Sequence, residues 1–176
     1  MYSKETEQKQ FDAITATLSE RFADAIQDID RKMDDLVVTV GREAILRVLE
    51  LLKDEGFDLL LDIDAVDNLE RGGTERFEVI YLLYSIGKNV RIRLKVFVPE
   101  SDPVLPSATG LWQAANWGER EAYDMIGIRF EGHPNLVRIL THHQFEGHAL
   151  RKDYPIMKGQ WCTETRDMRP DIERDE

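Results

Sequence analysis

The stretch Arg76–Val98, RFEVIYLLYSIGKNVRIRLKVFV, carries the clearest strand pattern in the chain and indicates its fold class. Its first half is apolar on both faces, which is typical of a central strand with neighbours on either side. After a predicted turn at 87–89, apolar residues alternate with Arg91, Arg93 and Lys95, as expected of a strand with one face in a core. The stretch therefore predicts a hairpin inside a sheet.

Two further strands and a connecting helix are predicted before this hairpin. Leu36–Val40 is a short β-branched strand, and the chain turns at Gly41 into a helix over residues 42–54. A half-buried strand follows over residues 57–65. Its alternation directs every second, apolar side chain to the core: Phe57, Leu59, Leu61, Ile63 and Ala65. Strand, helix and strand form one crossover unit.

The remaining segments complete the predicted architecture. Residues 5–29 have apolar residues three and four apart and predict an amphipathic helix, packed on the domain's own sheet or docked on a partner. We expect an α+β fold, with helices on one face of a mostly antiparallel sheet, followed by a motif helix and an extended C-terminal tail. The predicted segments are an N-terminal helix (1–33), a sheet domain (34–106, ending in a proline-rich connection), a docking region (107–155) and a polar tail (156–176).

The densest group of unusual residues lies in Leu111–Leu140, LWQAANWGEREAYDMIGIRFEGHPNLVRIL, here called the central block. Its spacing predicts a helix that ends at Gly127, then a short extended run and a turn at Gly132-His133-Pro134. The helix has a charged face and aromatic anchors, which are residue types enriched in protein interfaces.

Composition excludes several classes of protein. The 42% hydrophobic and 32% charged fractions are those of a globular chain, and a formal net charge of -11 argues against a general nucleic-acid binder. No apolar run approaches the ~18–20 residues of a membrane helix, and the N-terminus lacks a signal-peptide core, so cytoplasmic placement is expected. The single Cys162 excludes an internal disulfide framework and cannot hold an iron–sulfur cluster alone.

Histidines near the C-terminus raise the question of a metal site. His133, His142, His143, His148 and Cys162 lie within thirty residues, but their spacing fits none of the usual zinc-ligand pairs. Hydrogen-bonded or loop-positioning histidines are therefore favoured over metal ligands.

The carboxylates offer two candidate sites, and neither pattern favours chemistry. Glu119 and Glu121 point about 200° apart around a helix, so they do not converge as an acid–base pair. We expect Glu119, Arg120, Glu121, Asp124 and Arg138 to form partly buried ion pairs instead.

Asp58, Asp62 and Asp64 on the strand are more consistent with a solvated or ion-paired face than with a cation site. If that strand neighbours the one with the three bases, ion pairs of ~0.2–1 kcal/mol each are expected.

The sequence lacks the usual motif of a nucleophilic serine, because Ser85 and Ser107 are not in Gly-x-Ser-x-Gly settings. It also has no phosphate-binding loop. The residues alone thus indicate an interaction module without a self-contained active site.

Two motifs carry a resemblance to a known family. Glu119–Leu140, EREAYDMIGIRFEGHPNLVRIL, resembles the signature of the 30-kilodalton subunit family of NADH-quinone oxidoreductase, respiratory complex I. Gly147–Pro155, GHALRKDYP, here called the C-terminal block, resembles that family's second motif.

The resemblance implies a cofactor-free subunit of the peripheral arm, on the cytoplasmic face of the inner membrane. It implies that the chain scaffolds the quinone-site subunit and the subunit with the terminal iron–sulfur cluster, while FMN and the clusters are bound by partner subunits. Membrane contact is then expected only through the complex. The positions that match the family motifs are expected to form a docking and structural motif: Trp117, Glu119, Arg120, Glu121, Tyr123, Asp124, Gly127, Phe130, Gly132, His133, Pro134, Arg138, Gly147, His148, Arg151, Lys152, Asp153, Tyr154 and Pro155.

Two alternatives remain open from the sequence. Related subunits occur in membrane-bound nickel–iron hydrogenases and other quinone-linked dehydrogenases. A free-standing metal-dependent hydrolase using the histidine-rich tail is the distant alternative.

A tail from about Trp161 onward is also expected to be protease-sensitive in the isolated chain and protected in a complex.

Overall fold

The computed structural model describes residues 4–32, 35–72 and 75–160 of the 176-residue chain. Three α-helices, one short 3-10 helix and seven strands occur in these ranges. In chain order they are α1 (Lys4–Arg21), β1 (Ile26–Lys32), β2 (Asp35–Val40), the 3-10 helix (Arg42–Ala44), α2 (Ile45–Asp54), β3 (Leu59–Asp67), β4 (Phe77–Ser85), β5 (Val90–Val98), β6 (Val104–Pro106), α3 (Ala115–Met125) and β7 (Arg129–Glu131).

The main sheet has five strands in the order β1-β2-β5-β4-β3. Only the β2–β5 pair is parallel, and the other three pairs are antiparallel. The α+β class and the mostly antiparallel sheet are therefore confirmed. The hairpin predicted from Arg76–Val98 is β4–β5, and both of its strands lie inside the sheet. No helix of the described ranges is long and apolar enough to cross a membrane.

One face of the sheet carries the core. Side chains such as Val79, Tyr81 and Leu94 are fully buried there against apolar residues of all three helices. The crossover helix α2 contributes Ile45, Leu49 and other residues at the spacing predicted from the sequence. Apolar residues before and after position 106 belong to this one buried cluster, so the predicted boundary at 106 does not divide the core.

The N-terminal helix is shorter than predicted. It ends at Arg21, and Ile26–Lys32 forms the edge strand β1 instead of a continued helix. Antiparallel pairing places Ile29 opposite Val38 of β2, a strand whose six residues are all buried. Pairing with β1 satisfies the backbone groups along β2, a long-range advantage that local helical periodicity does not reveal.

The orientation predicted for β3 is also wrong in part. A register shift between Leu60 and Asp62 places an extra residue in the strand, so Leu60 is buried while Leu59 and Leu61 are exposed. One inserted residue moves the alternating side chains to opposite faces of a sheet.

The expected ion pairs between the acids of β3 and the bases of β5 do not form, because β4 lies between these strands. Arg91 and Arg93 bind Asp35, and Lys95 binds Glu78.

Candidate docking site

Helix α3 of the central block lies directly against strand β3. A Cβ atom at Gly118 would lie 2.9 Å from Cβ of Ile63, so glycine is what permits this close approach. Trp112, just before the helix, is buried and donates from its indole nitrogen to the carbonyl oxygen of Asp58 at 3.2 Å. These contacts fix the helix relative to the sheet.

Asp124 organises the segment that follows the helix. Its side chain is fully buried, and Oδ2 accepts hydrogen bonds from the backbone N–H groups of Ile139, Leu140 and Thr141 at 2.8–3.0 Å. Oδ1 accepts from Arg138 Nη1 at 2.7 Å and from the Thr141 hydroxyl at 2.5 Å. Burial alone would raise the pKa of Asp124, but these donors hold it well below its ordinary value.

Only one of the ion pairs expected in the central block forms in the described structure, that between Arg138 and Asp124. Arg138 also donates to the carbonyl oxygen of Gly147. Arg120 donates instead to the carbonyl oxygens of Val137 and Arg138, at 3.0 and 3.2 Å. Glu121 is exposed. The two arginines therefore tie the chain after the turn at residues 132–134 back onto α3.

Glu119 is buried without an ion-pair partner among the described residues. Its carboxylate accepts hydrogen bonds from Ala108 N–H at 2.6 Å and from the Ser107 hydroxyl at 2.7 Å. Burial raises the pKa of Glu119 to about 7, and these two donors oppose the rise. The fully buried hydroxyl of Tyr81, whose pKa is raised by burial and by the charge of Glu119, has no hydrogen-bond partner in the described structure. Glu119 thus holds the loop that leads into α3.

The C-terminal block packs against the end of α3 at Gly127. This glycine has φ +90°, and a Cβ atom there would lie 2.6 Å from Nε2 of His148. Arg151 Nε donates to the carbonyl oxygen of Ile126 at 2.6 Å, and His148 Nδ1 lies 3.0 Å from the carbonyl oxygen of Asp124. Burial lowers the pKa of His148, and the nearby arginines act in the same direction. The two motif blocks thus form one structural unit.

A second ionic cluster joins the C-terminal block to the sheet. Arg76 binds Asp67 through two nitrogens, at 2.9 and 3.1 Å, and Asp153 at 2.7 Å. Oδ2 of Asp67 also accepts the N–H of Lys152 at 2.9 Å. Burial would raise the pKa of Asp67, but Arg76 and the backbone donors hold it below its ordinary value. No sequence pattern indicated this cluster, because Asp67 and Lys152 lie 85 positions apart and its members follow no period.

His133 and His142 contact neighbouring residues of the chain, and neither of the buried ring nitrogens of His142 has a hydrogen-bond partner in the described structure. His133 Nδ1 accepts the N–H of Asn135 at 3.0 Å, and the His142 ring lies edge-on to Phe145. Within residues 4–32, 35–72 and 75–160 no group of three or more His, Cys, Asp or Glu residues could hold a metal ion. Cys162 lies outside the described residues.

The other predicted positions divide between the interior and the surface. Phe130 is buried, Gly132 and Gly147 have positive φ, and the Tyr154 ring lies 3.1 Å from where a Cβ of Gly147 would be. Tyr123 is half-buried beside the ring of His148. Trp117, Pro134 and Pro155 are exposed.

The surface of the two blocks includes exposed aromatic and aliphatic side chains. Trp117 is 62% exposed, with the guanidinium of Arg120 over its ring at 5.2 Å. Of ten large hydrophobic side chains exposed in the described residues, four lie in the two blocks and two directly follow the C-terminal block: Trp117, Val137, Leu140 and Leu150, then Ile156 and Met157. A rigid backbone with exposed aromatic and aliphatic side chains is the arrangement of a protein docking surface.

Both blocks lie within the region that matches a known protein family. The family model described as "Respiratory-chain NADH dehydrogenase, 30 Kd subunit" matches residues 38–160. The chain belongs to this family. The NADH-quinone oxidoreductase subunit of this type from Citrifermentans bemidjiense is 50% identical over 140 residues, which are 79% of this chain and 86% of that protein. Its counterpart from Geobacter sulfurreducens is 42% identical over 140 residues, with the same coverage of 79% and 86%.

Solved structures show the same fold. A trypsin-resistant fragment (1–134) of Nqo5 is 39% identical, with a TM-score of 0.64, over 70% of this chain and 98% of the fragment. A chain of an archaeal membrane-bound sulfane sulfur reductase has a TM-score of 0.71 at 23% identity, over 85% of this chain and 87% of that chain. The resemblance noted in the sequence is therefore confirmed at the level of family and fold.

Proposed function

We propose that the chain is a non-catalytic subunit of a proton-translocating NADH:quinone oxidoreductase. In this proposal it lies in the peripheral arm, on the cytoplasmic face of the inner membrane, and scaffolds the quinone-site subunit and the subunit with the terminal iron–sulfur cluster. It binds no cofactor itself, and FMN and the iron–sulfur clusters belong to its partners. The motif positions act in docking and in supporting the docking surface.

The observation that carries the proposal is the contrast between the interior and the surface of the two blocks. Inside, Asp124 and Arg138 fix the backbone through charged hydrogen bonds. Outside, Trp117, Val137 and Leu140 are exposed. A surface held in place before binding loses less conformational entropy on association, so a pre-organised apolar patch favours tight docking.

The polar groups of the blocks serve structure instead of chemistry. Asp124 is saturated with donors, and Arg120 and Arg138 are engaged with backbone oxygens. Glu119 is enclosed in the interior, away from any reactant. These engagements support a docking role and argue against acid–base catalysis by the same residues.

The test is recovery of companion subunits with a tagged chain from its native host. We expect Trp117→Ala with Leu140→Asn to lower recovery by ~10-fold or more, since tryptophan is enriched among the few interface residues whose truncation costs ~2 kcal/mol or more. Leu69→Asn, at an exposed leucine outside the blocks, is the matched control. Full recovery with the double variant, or equal loss with the control, contradicts the proposal.

A related expectation concerns the tail from about Trp161 onward, which lies outside the described residues. We expect trypsin to remove it from the isolated chain and to leave it intact in the complex. The solved relative is itself described as a trypsin-resistant fragment, which supports the expectation. Equal cleavage in both states would count against a partner-bound tail.

A further inference from the structure

The face of the sheet opposite the helices, here called the open face, has partly or fully exposed side chains on β3, β4 and β5. Strand pairing places Ile80, Leu82 and Tyr84 on this open face, because residues 79, 81 and 83 between them point into the core. These three side chains are only partly buried and do not belong to the buried cluster, which contains Val79, Tyr81 and Leu83. A partly exposed apolar strip thus runs along β4.

Charges flank this strip in a regular order. The register aligns Asp64, Ile80 and Lys95 in one row across β3, β4 and β5. The next row on the same face is Asp62, Leu82 and Arg93, and the third is Leu59, Tyr84 and Arg91. Across these three strands the open face is therefore basic on β5, apolar on β4 and acidic on β3.

The two charged sides differ in how far they are neutralised. Every base on β5 is in an ion pair, with Asp35 or with Glu78. Asp62 and Asp64 are exposed and have no ion pair within residues 4–32, 35–72 and 75–160; Asp62 accepts only the N–H of Ile63 at 2.9 Å. Unneutralised negative charge thus lies beside the apolar strip, on the side of β3.

Exposed apolar residues extend the strip at the same corner of the sheet. Leu59 and Leu61 on β3 are 40% and 49% exposed, and Ile86, just after β4, is 61% exposed. The edge of β3 is poorly suited to pairing with another strand, because charged side chains and a bulge lie along it. The face, and not the edge, is where a partner fits.

We propose that this open face is a second docking surface, which binds a companion subunit whose own surface is apolar and basic. Its apolar side chains would cover Leu82, Tyr84 and Ile86, and its lysines or arginines would meet Asp62 and Asp64. The chain's net charge of -11 is suited to a basic partner. The inference rests on the proposed function and adds a surface to it.

This surface is separate from that of the central block. Helix α3 packs on the helix-covered side of β3 through Gly118 and Ile63, whereas Asp62 and Asp64 point to the open side. Asp64 also lines a small cleft with Glu121 and Leu150, so the two surfaces meet at the edge of the sheet. A chain with two such surfaces can hold two partners at once, which a scaffold requires.

The first experiment compares two charge reversals in the tagged, full-length chain. Asp62→Lys with Asp64→Lys changes the open face, and Glu50→Lys with Asp54→Lys makes the same change of charge on exposed positions of α2. We expect the open-face variant to recover at least one companion subunit ~10-fold less well than the wild type, since like charges at an interface oppose binding, and the control to stay within about twofold for every subunit. Unchanged thermal unfolding of both variants separates docking from folding.

The second experiment uses carbodiimide-activated labelling of carboxylates with glycine ethyl ester. Labelling of Asp62 and Asp64 is expected to fall ~10-fold between the isolated chain and the purified complex.

Equal labelling in both states, or full recovery with the open-face variant, overturns the inference while the central block's role stands. A wild-type chain that recovers no companion subunit refutes the proposed function and this inference with it. If the isolated chain forms a concentration-dependent dimer and the open-face variant stays monomeric, the face binds a second copy of the chain. That result also contradicts the proposed occupant.

Discussion

Replacing Asp124 with asparagine is expected to loosen the whole segment that follows α3. The carboxylate accepts five hydrogen bonds, three from consecutive backbone N–H groups and two from Arg138 and Thr141. An asparagine of the same shape keeps one acceptor oxygen but presents an NH₂ group, itself a donor, to the other donors. The better orientation keeps the oxygen toward the backbone and turns the NH₂ toward Arg138.

The expected loss of stability follows from the charge of Arg138, which the substitution leaves without its ion-pair partner. The Arg138 side chain is 17% exposed and loses its ion pair, and removing one partner of a buried pair costs about 3–5 kcal/mol. Domains of this size have unfolding free energies of about 5–15 kcal/mol, so the loss is a large fraction of the total. We expect the urea midpoint to fall and trypsin to cleave within residues 138–160 much faster.

The pH dependence of the unfolding free energy provides a second test, because the stabilisation by Asp124 can only be lost in acid. The pKa of Asp124 is lower in the folded chain than its ordinary value of 3.8, so its stabilisation is fully present at pH 7. It is lost as the pH falls below 3.8 toward the folded value. The difference in unfolding free energy between wild type and Asp124→Asn should therefore be constant near neutral pH and shrink in acid.

The assay is urea unfolding followed by circular dichroism at several pH values. Glu121→Gln is the control, because Glu121 is an exposed carboxylate on the same helix, and its variant should stay within ~0.5 kcal/mol of the wild type. An Asp124→Asn chain within ~0.5 kcal/mol of the wild type at pH 7 would show that the ion pair with Arg138 does not stabilise the fold.

Three other buried groups have expected outcomes of their own. The pKa of Glu119 is raised to about 7 from an ordinary 4.5, so the folded chain holds this proton more tightly than the unfolded chain does. The unfolding free energy of the wild type, relative to that of Glu119→Gln, should therefore fall by about 1 kcal/mol per pH unit between these two values. Urea unfolding from pH 5 to 8 measures this, and a constant difference between the two chains contradicts it. Gly127→Ala should lower the unfolding free energy by ~1–3 kcal/mol in the same assay, because φ is +90° and a Cβ atom would meet the ring of His148. Gly87→Ala is the control and should be nearly neutral, because nothing beyond its chain neighbours lies within 4 Å of the added Cβ. Asp67→Asn should remove one of the ion pairs of Arg76 and weaken the hydrogen bond to the N–H of Lys152, and so speed trypsin cleavage in the C-terminal block, although Arg76 keeps its pair with Asp153. Unchanged cleavage would show that the ionic cluster does not hold the block.

Local patterns predicted the parts of the fold that depend on near neighbours. The alternation in β5 and the spacing of apolar residues in α2 are properties of consecutive residues, and both elements occur where expected. The strand β1 was missed because its formation depends on pairing with β2. The bulge after Leu60 was missed because no residue type requires it.

The candidate site was predictable in its residues but not in its connections. Asp124 and Arg138 were expected to be in ion pairs, and they pair with each other, yet the three backbone donors to Asp124 come from residues 15–17 positions later. Glu119 was expected in an ion pair and is buried beside neutral donors instead. Such contacts are set by how α3 packs on the sheet, which no local period encodes.

Purification of the full-length tagged chain from its native host, with cofactor analysis of each recovered subunit, tests the proposed function without any substitution. The proposed function predicts a complex that oxidises NADH and reduces quinone, with FMN and iron–sulfur clusters on the companion subunits and no metal or flavin on this chain. Recovery of the chain alone, with a nickel-containing partner, or with stoichiometric metal bound to itself would contradict it.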